Sequence, residues 1–257
     1  MAEAPGKLFR GLRVYTRIKR PDEAALRTLS EAGVGNISDA MHGLGVMDDG
    51  IRQIYSPMKR IAGPAITVDL TPGNGLLLRA AIETARPGDV IVANAHAGNA
   101  RAILGGAVGM FMAHRGVAGL IVDGAVRDVA EFRALGFPVM ARSVTPRSGT
   151  SLAGWGEVNI PVACGGVVVQ PGDIVVGDEE GIVVVERVWA KTVVAMLGNT
   201  GHTDFQPDTI RDRLAAIPAD APLPKKEAIY NSLKTRGGVV IDACFGDDDP
   251  AIEAGAA

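Results

Sequence analysis

Hydrophobic and polar positions along this chain fall into two regimes. Between residues 59 and 142, short apolar runs alternate with stretches of helical composition. Residues 59–68, 90–93, 117–122 and 138–142 are runs of strand length, set off by glycine or proline, and they predict buried strands. Residues 76–85 and 102–114 predict helices, the second beginning at Gly105-Gly106. A further helical pattern starts near Asp128 and stops at Gly136. Strand, helix and strand in this order predict an α/β fold with parallel strands. Upstream, Pro21-Asp22-Glu23 opens a helix that Gly33-Val34-Gly35 ends. Residues 36–45 read as a short helix capped by Ser38 or Asp39. After residue 142 the pattern changes. Residues 158–162, 166–169, 173–176 and 182–185 predict short strands divided by turns, a β-rich layer joined to the α/β core, with a helix at 187–197 packed on it.

Beyond Gly198 the signals are mixed: a helix around 209–216, a proline-rich link at 218–224, a helix near 226–233 and an acidic end. This divides the chain into an α/β domain, residues 1–200, and a C-terminal extension, residues 201–257. The extension is expected to pack on a neighbouring subunit or to be partly mobile.

Composition narrows the function. A chain of 257 residues has ample length for a core. Its 33 glycines imply many tight turns, and the net charge of −3 with dispersed basic residues argues against nucleic acid as the main partner. Cys164 and Cys244 lie far apart and match no metal-ligand spacing; Cys164 sits in an apolar stretch and reads as a buried thiol. The first seven residues lack the apolar region of a signal peptide, and no apolar run is long enough for a bilayer. A cytoplasmic setting is therefore expected, with no membrane partner.

The candidate chemistry lies at residues 122–128, Val-Asp-Gly-Ala-Val-Arg-Asp. The preceding strand is expected to stop at Asp123-Gly124, a turn dipeptide. Arg127 and Asp128 then fall where a strand ends and a helix begins, the usual ligand position in open α/β sheets. A guanidinium there clamps an anion, and a carboxylate holds a hard cation. Asp128 equally reads as a helix cap, and Arg127 as half of a surface ion pair. Gly105-Gly106 admits close approach of a ligand to a helix start whose free N–H groups favour an anion; it also reads as a packing contact. Residues 90–128 together form a βαβ unit whose two strand ends face one site. His42 has no second metal-type residue at helical spacing and reads as a surface or packing histidine.

Taken jointly, these segments resemble the RraA-like family, which contains divalent-metal-dependent 4-hydroxy-4-methyl-2-oxoglutarate and 4-carboxy-4-hydroxy-2-oxoadipate aldolases and the regulator of ribonuclease activity A. The resemblance covers roughly residues 28–197. It rests on Ile37-Ser38-Asp39-Ala40, Gly63-Pro64-Ala65, Pro87-Gly88-Asp89-Val90, Gly105-Gly106, the 122–128 segment, Pro138-Val139, and Gln170-Pro171-Gly172-Asp173 followed by residues 181–185. It implies a swivelling β/β/α domain assembled as a trimer or hexamer. It also implies that Arg127 contacts substrate, that Asp128 binds the metal, and that Gly105, Gly106, Ala107 and Val108 form the substrate-binding turn. The interval from Gly105 to Arg127 agrees with the family's. One departure stands out: family aldolases commonly carry an acid directly after the first glycine of that turn, where this chain has Gly106. Glu157, Asp178, Glu180 and Asp204 from a neighbour are the candidate substitutes.

The reaction implied is retro-aldol cleavage of a 4-hydroxy-2-oxo acid to pyruvate, assisted by Mg²⁺ or Mn²⁺, with oxaloacetate decarboxylation through the same enolate. A Schiff-base route needs a site lysine, and Lys59 lies at the wrong end of its strand. A methyltransferase reading lacks the glycine-rich first strand turn and the acidic second strand end. The competing class is a regulatory binding protein that masks a partner.

Overall fold

The computed structural model describes residues 12–150 and 154–199, with positions 218, 231 and 235. The chain divides into two compact units, Met1–Asp204 and Phe205–Ala257. The elements named below belong to the first; the helices and acidic end expected after residue 200, and the packing of that extension, fall largely outside the described residues.

Four parallel strands form the centre: β3 (Ile61–Leu70), β4 (Val90–Ala102), β5 (Gly119–Val126) and β6 (Val139–Val144). They are joined by α3 (Leu76–Thr84), α4 (Gly106–His114) and α5 (Val129–Leu135). Short strands extend the sheet on both sides, β1 (Leu12–Val14) and β7 (Gly156–Val158) beyond β3, and β2 (Arg52–Gln53) beyond β6. The buried stretches of the central strands are mostly apolar because both faces are covered, with Thr67, Asp69, Asn94 and Asp123 as buried polar positions among them. On one face, Ile66, Val68, Ile91, Leu120 and Val122 pack with Leu78, Met112 and Phe132 from the helices. On the other, Val90, Val92 and Ile121 meet a second β layer. The alternation of Val90, Ile91 and Val92 between these cores is the period-two geometry of a strand.

That second layer holds the ribbon β8 (Val162–Cys164) with β9 (Val167–Val169), and the hairpin β10 (Ile174–Gly177) with β11 (Ile182–Val185). β3 links the layers: residues 61–64 pair with β10, and residues 65–69 pair with β4. The hairpin's outer face, with Ile174, Val176, Val183 and Val185, is covered by α1 (Glu23–Glu31), α2 (Val34–Ala40) and α6 (Ala190–Asn199). The result is the expected β/β/α domain with a further helical layer on the central sheet. Cys164 is buried, and burial pushes its thiol up, so it stays protonated. No described helix is long and apolar enough to cross a membrane.

Two Pro-Gly-Asp turns recur. In each, the aspartate accepts from the backbone N–H three residues earlier: Arg86 to Asp89 and Gln170 to Asp173, both at 2.8 Å. The glycines, Gly88 and Gly172, adopt positive φ. Asp89 is fully buried and is chelated by the Arg20 guanidinium.

Three local expectations need correction. β4 does not stop at Ala93; it continues to Ala102 through two irregularities, with His96 and Ala97 at positive φ. β5 does not turn at Asp123-Gly124 but runs on to Val126. Gly124 lies against Ala95, where a side chain would collide, and the Asp123 carboxylate accepts from Arg142 at 2.6 Å and from the Gly165 N–H at 2.9 Å. Tertiary partners thus override the turn preference of the dipeptide. Lastly, Ser38 and Asp39 lie at the end of α2 and do not cap it. Its first N–H groups are taken by Asp178 and Glu180 from the β10–β11 turn, both at 3.1 Å.

Candidate active site

The C-terminal ends of β4 and β5 bring the two halves of the site together. After β4, the Ile103 N–H donates to the Ala125 carbonyl at 2.9 Å, and the Arg127 N–H donates to Leu104 at 3.2 Å. These bonds fix the loop before α4 against the loop before α5. Gly105 is the cap position of α4, in ordinary extended conformation. It is glycine for space: a Cβ there would overlap the Asp128 carboxylate and come within 3.0 Å of Arg127 Nε.

Asp128 stands immediately before α5, yet its side chain makes no cap bond to that helix. Its backbone is left-handed, at φ 61° and ψ 44°, a conformation that aspartate tolerates better than most residues. This turns the carboxylate across to the start of α4, where Oδ2 accepts from the Gly106 N–H at 3.1 Å. Arg127 Nε lies 3.4 Å from the same oxygen. The helix-cap reading of Asp128 is therefore wrong for its own helix, and Arg127 pairs with its neighbour in sequence. Both side chains stay about one-third exposed, open to a cavity of about 270 Å³.

Gly105, Ala107, Val108, Arg127 and Asp128 line this cavity. Gly106 sits behind them, contributing its N–H. Of the lining residues that the sequence reading did not single out, three carry polar side chains: Arg79 on α3, and Ser148 and Thr150 in the segment after β6. Arg79 sits in an apolar helical stretch, a lone cation between leucines and alanines, and that contrast is the signal that was available. Among the described residues no carboxylate pairs with it.

Glu131 is the other missed residue. Its carboxylate occupies the space in which a side chain at position 106 would sit; a Cβ there would also come within 2.6 Å of Glu131 Cβ and Cδ. Asp128 and Glu131 therefore flank the start of α4, one at Gly105 and the other at Gly106. The substitutes considered from sequence lie elsewhere. Glu157 is chelated by Arg13 at 2.6 and 2.9 Å, and Asp178 and Glu180 serve α2. Asp204 lies outside the described residues. Lys59 precedes β3, at the end of the parallel strands opposite the site.

Among the described residues no group of three or more His, Cys, Asp or Glu side chains is arranged to hold a metal. The site offers instead one partly exposed carboxylate whose Oδ1 has no donor among the described residues, beside open cavity. That donor set fits a hard cation that keeps most of its coordination for water and substrate oxygens, and it does not fit a metal needing a closed protein cage.

The chain belongs to the RraA-like family: its family model, described as Aldolase/RraA, matches residues 34–184. A Halalkalibacterium halodurans protein named "putative 4-hydroxy-4-methyl-2-oxoglutarate aldolase" is 39% identical over 151 residues, 59% of this chain and 71% of that protein. Streptomyces coelicolor RraAS2, described as an unusual member of the RNase ES inhibitor RraA family, superposes with a TM-score of 0.64 at 30% identity. The match covers 76% of this chain and all of that one. The RNA-processing inhibitor RraA from Thermus thermophilis gives a TM-score of 0.55 at 27% identity, over 60% of this chain and 92% of that one.

Proposed function

We propose that this chain is a divalent-metal-dependent aldolase that cleaves a 4-hydroxy-2-oxo acid, such as 4-hydroxy-4-methyl-2-oxoglutarate, to pyruvate and a carbonyl product. The observation that carries this reading is the Asp128 carboxylate: it leaves its own helix uncapped and points, beside Arg127, into the cavity at the start of α4. Relatives named as aldolases support it.

Asp128 would hold Mg²⁺ or Mn²⁺, which when bound supplies electrophilic polarisation of the substrate's 2-oxo group. Arg127 binds the substrate's C1 carboxylate or C2 oxygen and offsets the negative charge that grows there. Glu131, or a water it holds, takes the proton of the C4 hydroxyl. The C3–C4 bond breaks, C4 becomes the carbonyl of one product, and the bonding pair becomes the enolate of pyruvate. Return of a proton to C3 completes pyruvate. Oxaloacetate loses CO₂ to give the same enolate and needs no hydroxyl proton transfer.

The test is pyruvate release coupled to lactate dehydrogenase, with Mg²⁺, Mn²⁺ or EDTA, in wild type and Asp128→Ala. Release that needs metal and Asp128 supports the reading; release insensitive to EDTA or to the substitution overturns it.

A second reading, a regulatory binding protein, draws on Met110 and Phe111. These are 54% and 63% exposed on α4, a helix apolar on nearly all sides. We assign this face to a neighbouring copy in a trimer or hexamer. Light scattering that shows only monomer, with co-purification of a large partner, would favour the regulator instead.

A further inference from the structure

We infer that Arg79 selects substrates with a second carboxylate, by binding the acid group at the end remote from the 2-oxo acid. This rests on the aldolase reading for its substrate, while the geometry behind it stands separately. Arg79 and Arg127 line the same cavity of about 270 Å³, Arg79 from α3 and Arg127 from the end of β5. Among the described residues Asp128 is the one carboxylate lining the cavity, and Arg127 and the Gly106 N–H already engage it. Arg79 has no carboxylate among the described residues. The cavity therefore carries an excess of positive charge before any metal enters, and an acid with one carboxylate leaves one guanidinium unmatched. A dianion satisfies both.

α3 is held firmly enough to make this a built position. The Gly75 N–H before it donates to the Thr150 carbonyl at 2.9 Å, and the Gly75 Cα packs so closely on the Ile103 carbonyl that no side chain fits. Asn74 Oδ1 accepts from the Leu76 N–H at 2.9 Å. Leu77 and Leu78 beside it are buried in the core and anchor the helix. Arg79 thus starts from a fixed Cα with the cavity in front of it. A planar guanidinium can take a carboxylate bidentately, which lysine cannot.

The experiment compares 4-hydroxy-4-methyl-2-oxoglutarate, with two carboxylates, against 4-hydroxy-2-oxopentanoate, with one, in wild type, Arg79→Ala and Arg79→Lys. Arg79→Ala should lower the ratio of kcat/KM values, dicarboxylate over monocarboxylate, by about ten- to hundredfold, chiefly through KM. Arg79→Lys should recover part of it. An unchanged ratio, whatever the absolute rates, overturns the inference. Calorimetric titration of metal-free protein with 2-oxoglutarate and with 2-oxobutyrate separates this from the aldolase reading. Wild type should bind the dicarboxylate more tightly and Arg79→Ala should lose the preference, even where neither aldol substrate releases pyruvate. Absence of preference in wild type, or of binding by either acid, counts against Arg79 itself.

Discussion

Two polar cavities open along the same sheet, and their charges are arranged in opposite ways. The larger, about 430 Å³, is lined by Arg13, Glu157, Asp69, Asn94 and His96. It belongs to a row of paired positions crossing five strands: Arg13 on β1 faces Glu157 on β7, then Asp69 on β3, Asn94 on β4 and Asp123 on β5. The members bond to one another or to adjoining groups. Arg13 chelates Glu157; Asp69 Oδ1 accepts from Asn94 at 3.0 Å and lies 2.9 Å from His96 Nε2; Arg142 and Gly165 take Asp123. Among the described residues, the smaller cavity has Arg79 with no carboxylate partner and Asp128 with one oxygen that accepts from no donor. Size would favour the first as the working site. Saturation favours the second, because buried polar groups that satisfy each other stabilise a fold, whereas groups left open are free to meet a ligand.

The comparison breaks if the wrong cavity carries activity. Asp128→Ala should lower kcat/KM for pyruvate release by about 10³-fold, at a smaller cost of about 1 kcal/mol in stability from the lost bond to the Gly106 N–H at the start of α4. Asp69→Ala should do the reverse. It strands Asn94 and His96 without their shared acceptor, and it should cost about 2–4 kcal/mol of stability. Urea unfolding and steady-state kinetics on both variants decide the matter. A folded Asp69→Ala protein without activity, beside an active Asp128→Ala protein, would exchange the roles of the two cavities.

Beside the smaller cavity, against Gly106, Glu131 gives the next effect. Glu131→Gln keeps the volume beside Gly106 and removes the proton acceptor, so aldol cleavage should fall by about ten- to hundredfold while oxaloacetate decarboxylation falls less. Gly106→Asp should be deleterious with Glu131 present, because the two side chains claim one space. In Glu131→Gly, which also removes the Cβ that would meet one at position 106, the same Gly106→Asp should restore part of the aldol rate, since it returns a carboxylate to that space. Equal losses in both reactions, or no rescue, would confine Glu131 to packing.

The parallel strands, the βαβ unit and the Arg127–Asp128 locus were legible because apolar runs and glycine stops are local signals. The cross-sheet row was not. Asp123-Gly124 has the sequence of a turn, and only Arg142, Gly165 and Ala95, all distant in sequence or on another strand, make it strand interior. The cap of α2 failed for the same reason: its acceptors, Asp178 and Glu180, lie more than 140 residues away. Glu131 was hidden because a side chain absent at Gly106 says nothing by itself about which residue fills the space. Arg79 was hidden because an arginine on a helix is ordinary until its missing partner is known.

The smallest effect concerns the two Pro-Gly-Asp turns, whose aspartates differ in one respect. Asp89 has Arg20, whereas among the described residues Asp173 is held by backbone donors alone, the N–H groups of Gln170 at 2.8 Å and Arg187 at 3.0 Å. Burial holds the Asp173 carboxyl above its ordinary value of 3.8, an effect that these two donors only partly offset. The folded chain therefore keeps this proton to higher pH than the unfolded chain does. The group's contribution to stability is most favourable below the unfolded value, declines as pH rises through the folded value, and is level above it. Asp173→Asn removes that decline while keeping one acceptor for the turn. Relative to wild type, the variant should fare better at pH 7 than at pH 4, read as the change in urea midpoint between the two. A difference that is the same at both pH values would mean that the turn's backbone donors, and not burial, set the charge state of Asp173.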